Sequence, residues 1–190
     1  MLEKVEDSNA SATPYEPYKS NILHTPEEVV LRSLPNGVKD TLNLNTGEYV
    51  QRIGEIVLEG ESVQFLTDPI SNDGLYQSYY TKNNFIENIK ASSHTLSDKL
   101  QTKHPFSWLT PNMECVGSNF NGLNISLKLS TLNVTSEDSG NTKLEKLYSY
   151  LQLNPIIVQY ELANPIIETV DLSDNHVYSY KGTTHYSCSS

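Results

Sequence analysis

The sequence predicts a mainly β protein, an antiparallel sandwich or jelly-roll-like module with one short helix, and three observations predict it. Over residues 123–129 the alternation is strict: Leu123, Ile125, Leu127 and Leu129 fall on one face, and Asn124, Ser126 and Lys128 on the other. That is the period of a half-buried strand. Between residues 27 and 60, short apolar runs are separated by Pro35-Asn36-Gly37 and Asn45-Thr46-Gly47, residue types that reach positive φ or preset a turn at little cost. Hydrophobic residues make up 37% of the 190-residue chain, which also carries twelve Tyr; that lies below the about 45–50% of an average domain. Such a composition suits a thin, polar β module and disfavours a helical bundle.

In chain order, residues 1–20 are acidic and then rich in Ser, Pro and Tyr. They lack the periodicity of a core element and should run extended along a surface. Residues 27–60 read as three consecutive antiparallel strands. Leu42 and Leu44 point away from Thr41 and Asn43, and Tyr49, Gln51 and Ile53 share a face, whereas Ile56 and Leu58 have the opposite parity. A bulge near Gly54 would reconcile the two sets. A short strand follows over residues 62–66, with Val63 and Phe65 on one face, and another over residues 75–80, with Tyr79 and Tyr80 on opposite faces and one of them exposed. Residues 94–100 and 104–108 read as loop or irregular strand. Asn121-Gly122 is a hairpin signal, pairing the alternating strand with one near residues 113–117, and Leu132 and Val134 extend it.

The helix is expected over residues 142–153. Leu144, Leu147, Tyr148 and Leu151 form one apolar stripe, Thr142 and Glu145 have the spacing of a capping box, and Asn154-Pro155 ends the segment. Ile156, Val158, Tyr160 and Leu162 then alternate with Ile157, Gln159 and Glu161 in a strand that reaches Asn164-Pro165 and continues extended to Leu172. A last hairpin is expected around Lys181-Gly182. The chain thus divides into an extended linker (1–22), a β-rich module (23–172) and a hairpin-like extension (173–190).

Composition excludes several function classes. The net charge of −10, with a pI near 4.9, provides no long-range attraction to nucleic acid or to an anionic membrane. Cys115 and Cys188 are far apart and lack CxxC spacing, so they read as unpaired thiols. The first residues, MLEKVEDSNA, have no apolar signal-peptide core, and no run reaches the about 18 apolar residues of a membrane span. The sequence shows no GxSxG, no HExxH and no phosphate-binding glycine loop. The five histidines, His24, His94, His104, His176 and His185, are scattered singly, and Asp171 and Asp174 lack an oxygen-rich calcium loop. The reading is no catalytic residue, no metal and no cofactor.

Three blocks carry a resemblance: LEKVEDSNASATPYEPYKSN (2–21), LRSLPNGVKDTLNLNTGEYVQRIGEIVLEG (31–60) and LEKLYSYLQLNPIIVQYELANPIIETVDL (144–172). In wording and order they resemble minor structural proteins of the tails of phages and prophages of Gram-positive bacteria. The resemblance implies a non-enzymatic virion structural module near the tail tip or baseplate, apparently a piece of a longer protein. It also implies assembly in the host cytoplasm before incorporation into the virion tail, other tail proteins as partners, and a symmetric homo-oligomer. A contribution to host cell-surface attachment through cell-wall glycan is implied as well.

Exposed aromatic rings can stack on the apolar faces of sugars, which makes Trp108, Tyr79 and Tyr80 the candidate carbohydrate-binding residues. The other reading of Trp108 is that it plugs one end of the sandwich together with Phe106. Two further functions stay open: a cell-wall glycan hydrolase or its accessory fragment, and an acidic phage-encoded protein that binds and inhibits a host protein.

Overall fold

A computed structural model describes residues 29–81, 86–107, 110–119 and 122–172. The expected N-terminal linker and the C-terminal hairpin lie outside the described residues, as does Trp108. Nine strands and one helix form in the order β1 (Thr41–Leu42), β2 (Glu48–Leu58), β3 (Phe65–Ile70), β4 (Tyr76–Thr81), β5 (Thr95–Ser97), β6 (Gln101–Thr102), β7 (Cys115–Asn119), β8 (Gly122–Lys128), α1 (Gly140–Leu153) and β9 (Ile156–Thr169) among the described residues. They make a four-stranded sheet, β1-β2-β9-β5, and a five-stranded sheet, β3-β4-β8-β7-β6. All pairings are antiparallel except the short β6–β7 pair. The protein is mainly β with one short helix, a sandwich-like arrangement as the alternation predicts.

The main core lies between the layers. Leu58, Ile156, Val158, Tyr160 and Leu162 from the four-stranded sheet meet Phe65, Tyr79, Val116, Leu123, Ile125 and Leu127 from the other, with Leu147 and Leu151 of α1. The helix is tied to the five-stranded sheet by polar contacts as well as apolar ones. Tyr79 donates its hydroxyl to the Lys143 carbonyl at 3.2 Å, and Tyr148 accepts from the Phe65 N–H at 3.0 Å. The apolar stripe is as expected, but the cap is not at Thr142. Ser139 caps the helix, its hydroxyl accepting from the Thr142 N–H at 3.2 Å. At the other end Asn154 closes the helix, donating its own N–H to Tyr150 at 2.8 Å. Leu132 and Val134 do not extend β8. They are buried in the core from a turn.

The meander differs from expectation at its start. Residues 29–40 form no regular strand; a single bridge, Ser33 to Lys39, spans the turn, and β1 is only two residues long. This segment instead lies on the outer face of β2. The Tyr49 hydroxyl donates to the Val30 carbonyl, Arg32 stands 3.7 Å from Glu55, and Val29 and Leu34 are buried outside the main core together with Tyr49 and Ile53. The parity conflict in β2 therefore has a second resolution besides a bulge: both faces are buried, Tyr49 and Ile53 under residues 29–40, Leu58 in the main core. Burial, with the Asp40 charge adding to it, pushes the Tyr49 hydroxyl pKa up.

A register irregularity is also present, between Gln51 and Ile53 rather than at Gly54. Gln51 pairs with Ile166 and Ile53 with Glu161, so Arg52 alone stands opposite residues 162–165. Two side chains hold this point. The Asp40 carboxylate accepts from the N–H groups of Arg52 at 2.6 Å and Ile53 at 3.0 Å, and from that of Arg32 at 3.1 Å. On the other strand, Asn88 reproduces a strand edge with its amide, accepting from the Asn164 N–H and donating to the Asn164 carbonyl, both at 2.7 Å. Gly54 has a separate role. The Tyr160 ring lies over it, and a Cβ there would come within 2.6 Å of the ring, so glycine is required by close approach.

In β3 the pairing with β4 shifts between Thr67 and Ile70, and Asp68 sits at that irregularity with its carboxyl pKa raised by burial. A carboxyl whose folded pKa is raised adds stability below its unfolded pKa, and that stability is lost as pH rises through the folded value. At neutral pH the charged Asp68 is therefore a small net cost. Asp68→Asn should raise stability at about pH 7, seen as a higher melting temperature, by no more than about 1 kcal/mol because the group is half-exposed and screened, with no gain at about pH 3. Thermal denaturation at the two pH values checks this.

Candidate functional site

The site is the second face of the five-stranded sheet, the one turned away from the main core. Cross-strand register places Ser78 opposite Ser126 and Ser126 opposite Cys115, and in the next row Leu66, Tyr80, Asn124 and Gly117. The alternation in β8 predicts Asn124 and Ser126 as outward, toward solvent. Both are fully buried, as are Ser78 and Cys115, and Lys103 and Phe106 lie against Gly117, the cross-strand neighbour of Asn124. Ser78 donates to Ser126 at 3.2 Å, and Asn124 is held by Asn119 and the Gly122 carbonyl, each at 3.1 Å. Each of these polar side chains has a partner, as buried polar groups require.

Lys103 organises the covering loop. Its ammonium donates to the Thr110 carbonyl, the Pro111 carbonyl at 3.0 Å and the Asn112 amide oxygen at 3.3 Å, matching the three donors of an ammonium group to three oxygens. Its N–H is bonded to the Val116 carbonyl at 2.9 Å. Phe106 is buried directly over Gly117, where a Cβ would lie 2.5 Å from the Lys103 carbonyl and 2.9 Å from the Phe106 ring. A glycine inside a strand marks such an approach of another backbone, and it is the one sequence signal that could have revealed this cover.

Burial, only partly countered by Lys103, pushes the Cys115 thiol up to about 11, so it stays protonated at neutral pH and is a poor nucleophile. His94 and His104 stack with centroids 4.0 Å apart and planes 32° apart. Among the described residues no three His, Cys, Asp or Glu side chains converge on a possible metal position.

The three candidate sugar-stacking residues separate. Tyr79 and Tyr80 do lie on opposite faces of β4, but Tyr79 is in the main core, fully buried, with its hydroxyl on α1 and its pKa driven well above the usual tyrosine value by burial. It presents no ring to a ligand. Tyr80 is half-buried beside Leu66, which is 39% exposed. Trp108 lies outside the described residues. Of the three candidates, Tyr80 is the one that the described residues leave partly accessible, beside Leu66.

No protein-family model matches the chain, no curated protein matches it and no solved structure matches it. The placement of the tyrosines is testable without a ligand. Tyr79→Ala should cost about 3–5 kcal/mol in denaturant unfolding, the range for emptying a buried aromatic site. Tyr80→Ala should cost less than about 1.5 kcal/mol, near the small effects of surface substitutions. Equal costs would place both rings in the core.

Proposed function

We propose that this chain is a non-enzymatic structural module of a phage or prophage tail that contributes to attachment at host cell-wall glycan. One observation carries the reading. Two of the blocks that resemble tail proteins, residues 31–60 and 144–172, form one structural unit, since β2 from the first and β9 from the second are hydrogen-bonded along nearly their full lengths. The resembling residues are therefore the frame of the fold, consistent with a module selected for shape and assembly. Ligand contact is assigned to Tyr80 with Leu66 and, from its sequence setting alone, to Trp108, because loops held by a rigid sheet are the usual place for it.

Two measurements test this. After induction of a prophage encoding the chain, antibody labelling should find the protein on the tails of purified virions; its absence from virions would overturn the assignment. Incubated with purified Gram-positive cell wall, the protein should bind without releasing reducing ends or muropeptides. Trp108→Ala should weaken binding at least tenfold, about 1.4 kcal/mol, with an unchanged melting temperature. Release of wall fragments would make the chain an enzyme, and loss of binding only through unfolding would remove Trp108 from the contact.

A further inference from the structure

Among the described residues, the far half of β9 has one partner only. Residues 163–169 are exposed, Ile166 at 43% and Ile167 at 66%. On one side they pair with β2, Gln51 to Ile166 through Glu48 to Thr169. On the other side β5 pairs only with residues 158–160, and the contacts from Ile89 and Asn88 end at Asn164. The Val170 N–H donates to the Gly47 carbonyl at 2.8 Å. Because alternate residues of a strand turn their backbone groups to alternate edges, Glu168 and Ile166 also face β2, and the N–H and C=O groups of Ile167 and Thr169 face outward. An open row of this kind, on an exposed β-branched strand, is a template for strand addition.

We propose that this edge joins two copies of the chain in an antiparallel, two-fold dimer centred on Ile167. A second copy is the occupant favoured by the chemistry of the edge. With the axis at Ile167, each Ile167 exchanges both backbone bonds with Ile167 of the second copy, and the Thr169 N–H reaches the Pro165 carbonyl. Pro165 has no N–H, so that outer pair forms one bond where another residue would form two. Glu168 is the only charged residue in 163–169. Its carboxylate already accepts from the Gln51 amide at 3.1 Å, and the two-fold register sets it opposite Ile166 rather than opposite itself. No like charges meet directly across the contact, which is isologous and closed. This pairing does not depend on the tail reading.

The net charge of −10 opposes association of copies at low salt, so screening should strengthen the dimer as ionic strength rises. A basic partner would behave oppositely. Sedimentation equilibrium of the full chain at high micromolar concentration should show a mass approaching twice the monomer's, increasing with salt. Ile167→Lys, which sets like charges face to face at the axis, should return it to monomer. Thr169→Pro, which deletes an outward N–H, should weaken the dimer at least tenfold, and both variants should keep the parent melting temperature measured at monomeric concentration. A strict monomer at all salt concentrations, or a dimer unaffected by both substitutions, would overturn the proposal. So would association that appears only with a basic protein and fades with salt.

Discussion

The Asp40 carboxylate is the contact on which the four-stranded sheet depends. Its side chain is wholly removed from solvent, and it receives three backbone N–H groups, from Arg32, Arg52 and Ile53. In a regular strand consecutive N–H groups point to opposite edges. Those of Arg52 and Ile53 instead converge on one carboxylate, at the point where β2 slips against β9. A slip of this kind leaves donors without ladder partners, and a buried unpaired donor costs about 1–3 kcal/mol. Asp40 removes that cost, while Arg32, 3.7 Å away, offsets the charge it introduces. The same contact anchors residues 29–40 on the outer face of β2, because Arg32 and Asp40 both belong to that segment.

From this follows the distribution of burial. A chain with relatively few hydrophobic residues cannot fill a deep core, and here each sheet carries a thin irregular cover on the face away from the other. Residues 29–40 cover the four-stranded sheet over Tyr49 and Ile53, and Lys103 and Phe106 lie on the five-stranded sheet over Gly117. Both covers are held by one charged side chain bonded to several backbone groups, Asp40 in the first and Lys103 in the second. A buried charge such as that of Asp40 is tolerated only when it is hydrogen-bonded. On the five-stranded sheet the covered face is polar, with Ser78, Asn124 and Ser126 buried, and burial raises the pKa of the Cys115 thiol there.

How much of this could be read from the sequence depended on whether the signal was local. The alternation over 123–129 identified β8 and its core face, and the apolar stripe of Leu144, Leu147, Tyr148 and Leu151 identified the helix, since both periods report directly on local geometry. Alternation does not report what lies above the polar face, so it points Asn124 and Ser126 outward although both are fully buried. The cap was displaced because Ser139 with Thr142 and Thr142 with Glu145 share one spacing, and only the position of the first turn distinguishes them. The opposed parity of Ile53 and Leu58 was visible, but a bulge and a doubly covered strand give the same pattern. For the candidate site, the opposite faces of Tyr79 and Tyr80 were legible and the identity of the buried one was not, since that requires knowing which side of β4 α1 packs against.

Asp40 is the organiser of the slip and not a bystander to it. The direct measurement is amide hydrogen exchange and denaturant unfolding of Asp40→Ala. Loss of the carboxylate should expose the Arg52 and Ile53 amides to rapid exchange, release residues 29–40 from β2, and lower global stability by about 3–5 kcal/mol, the range for removing one partner of a buried hydrogen-bonded ion pair. The β8 amides should remain the last to exchange. Unchanged protection at Arg52 and Ile53, with stability within about 0.5 kcal/mol of the parent as for an ordinary surface substitution, would contradict it.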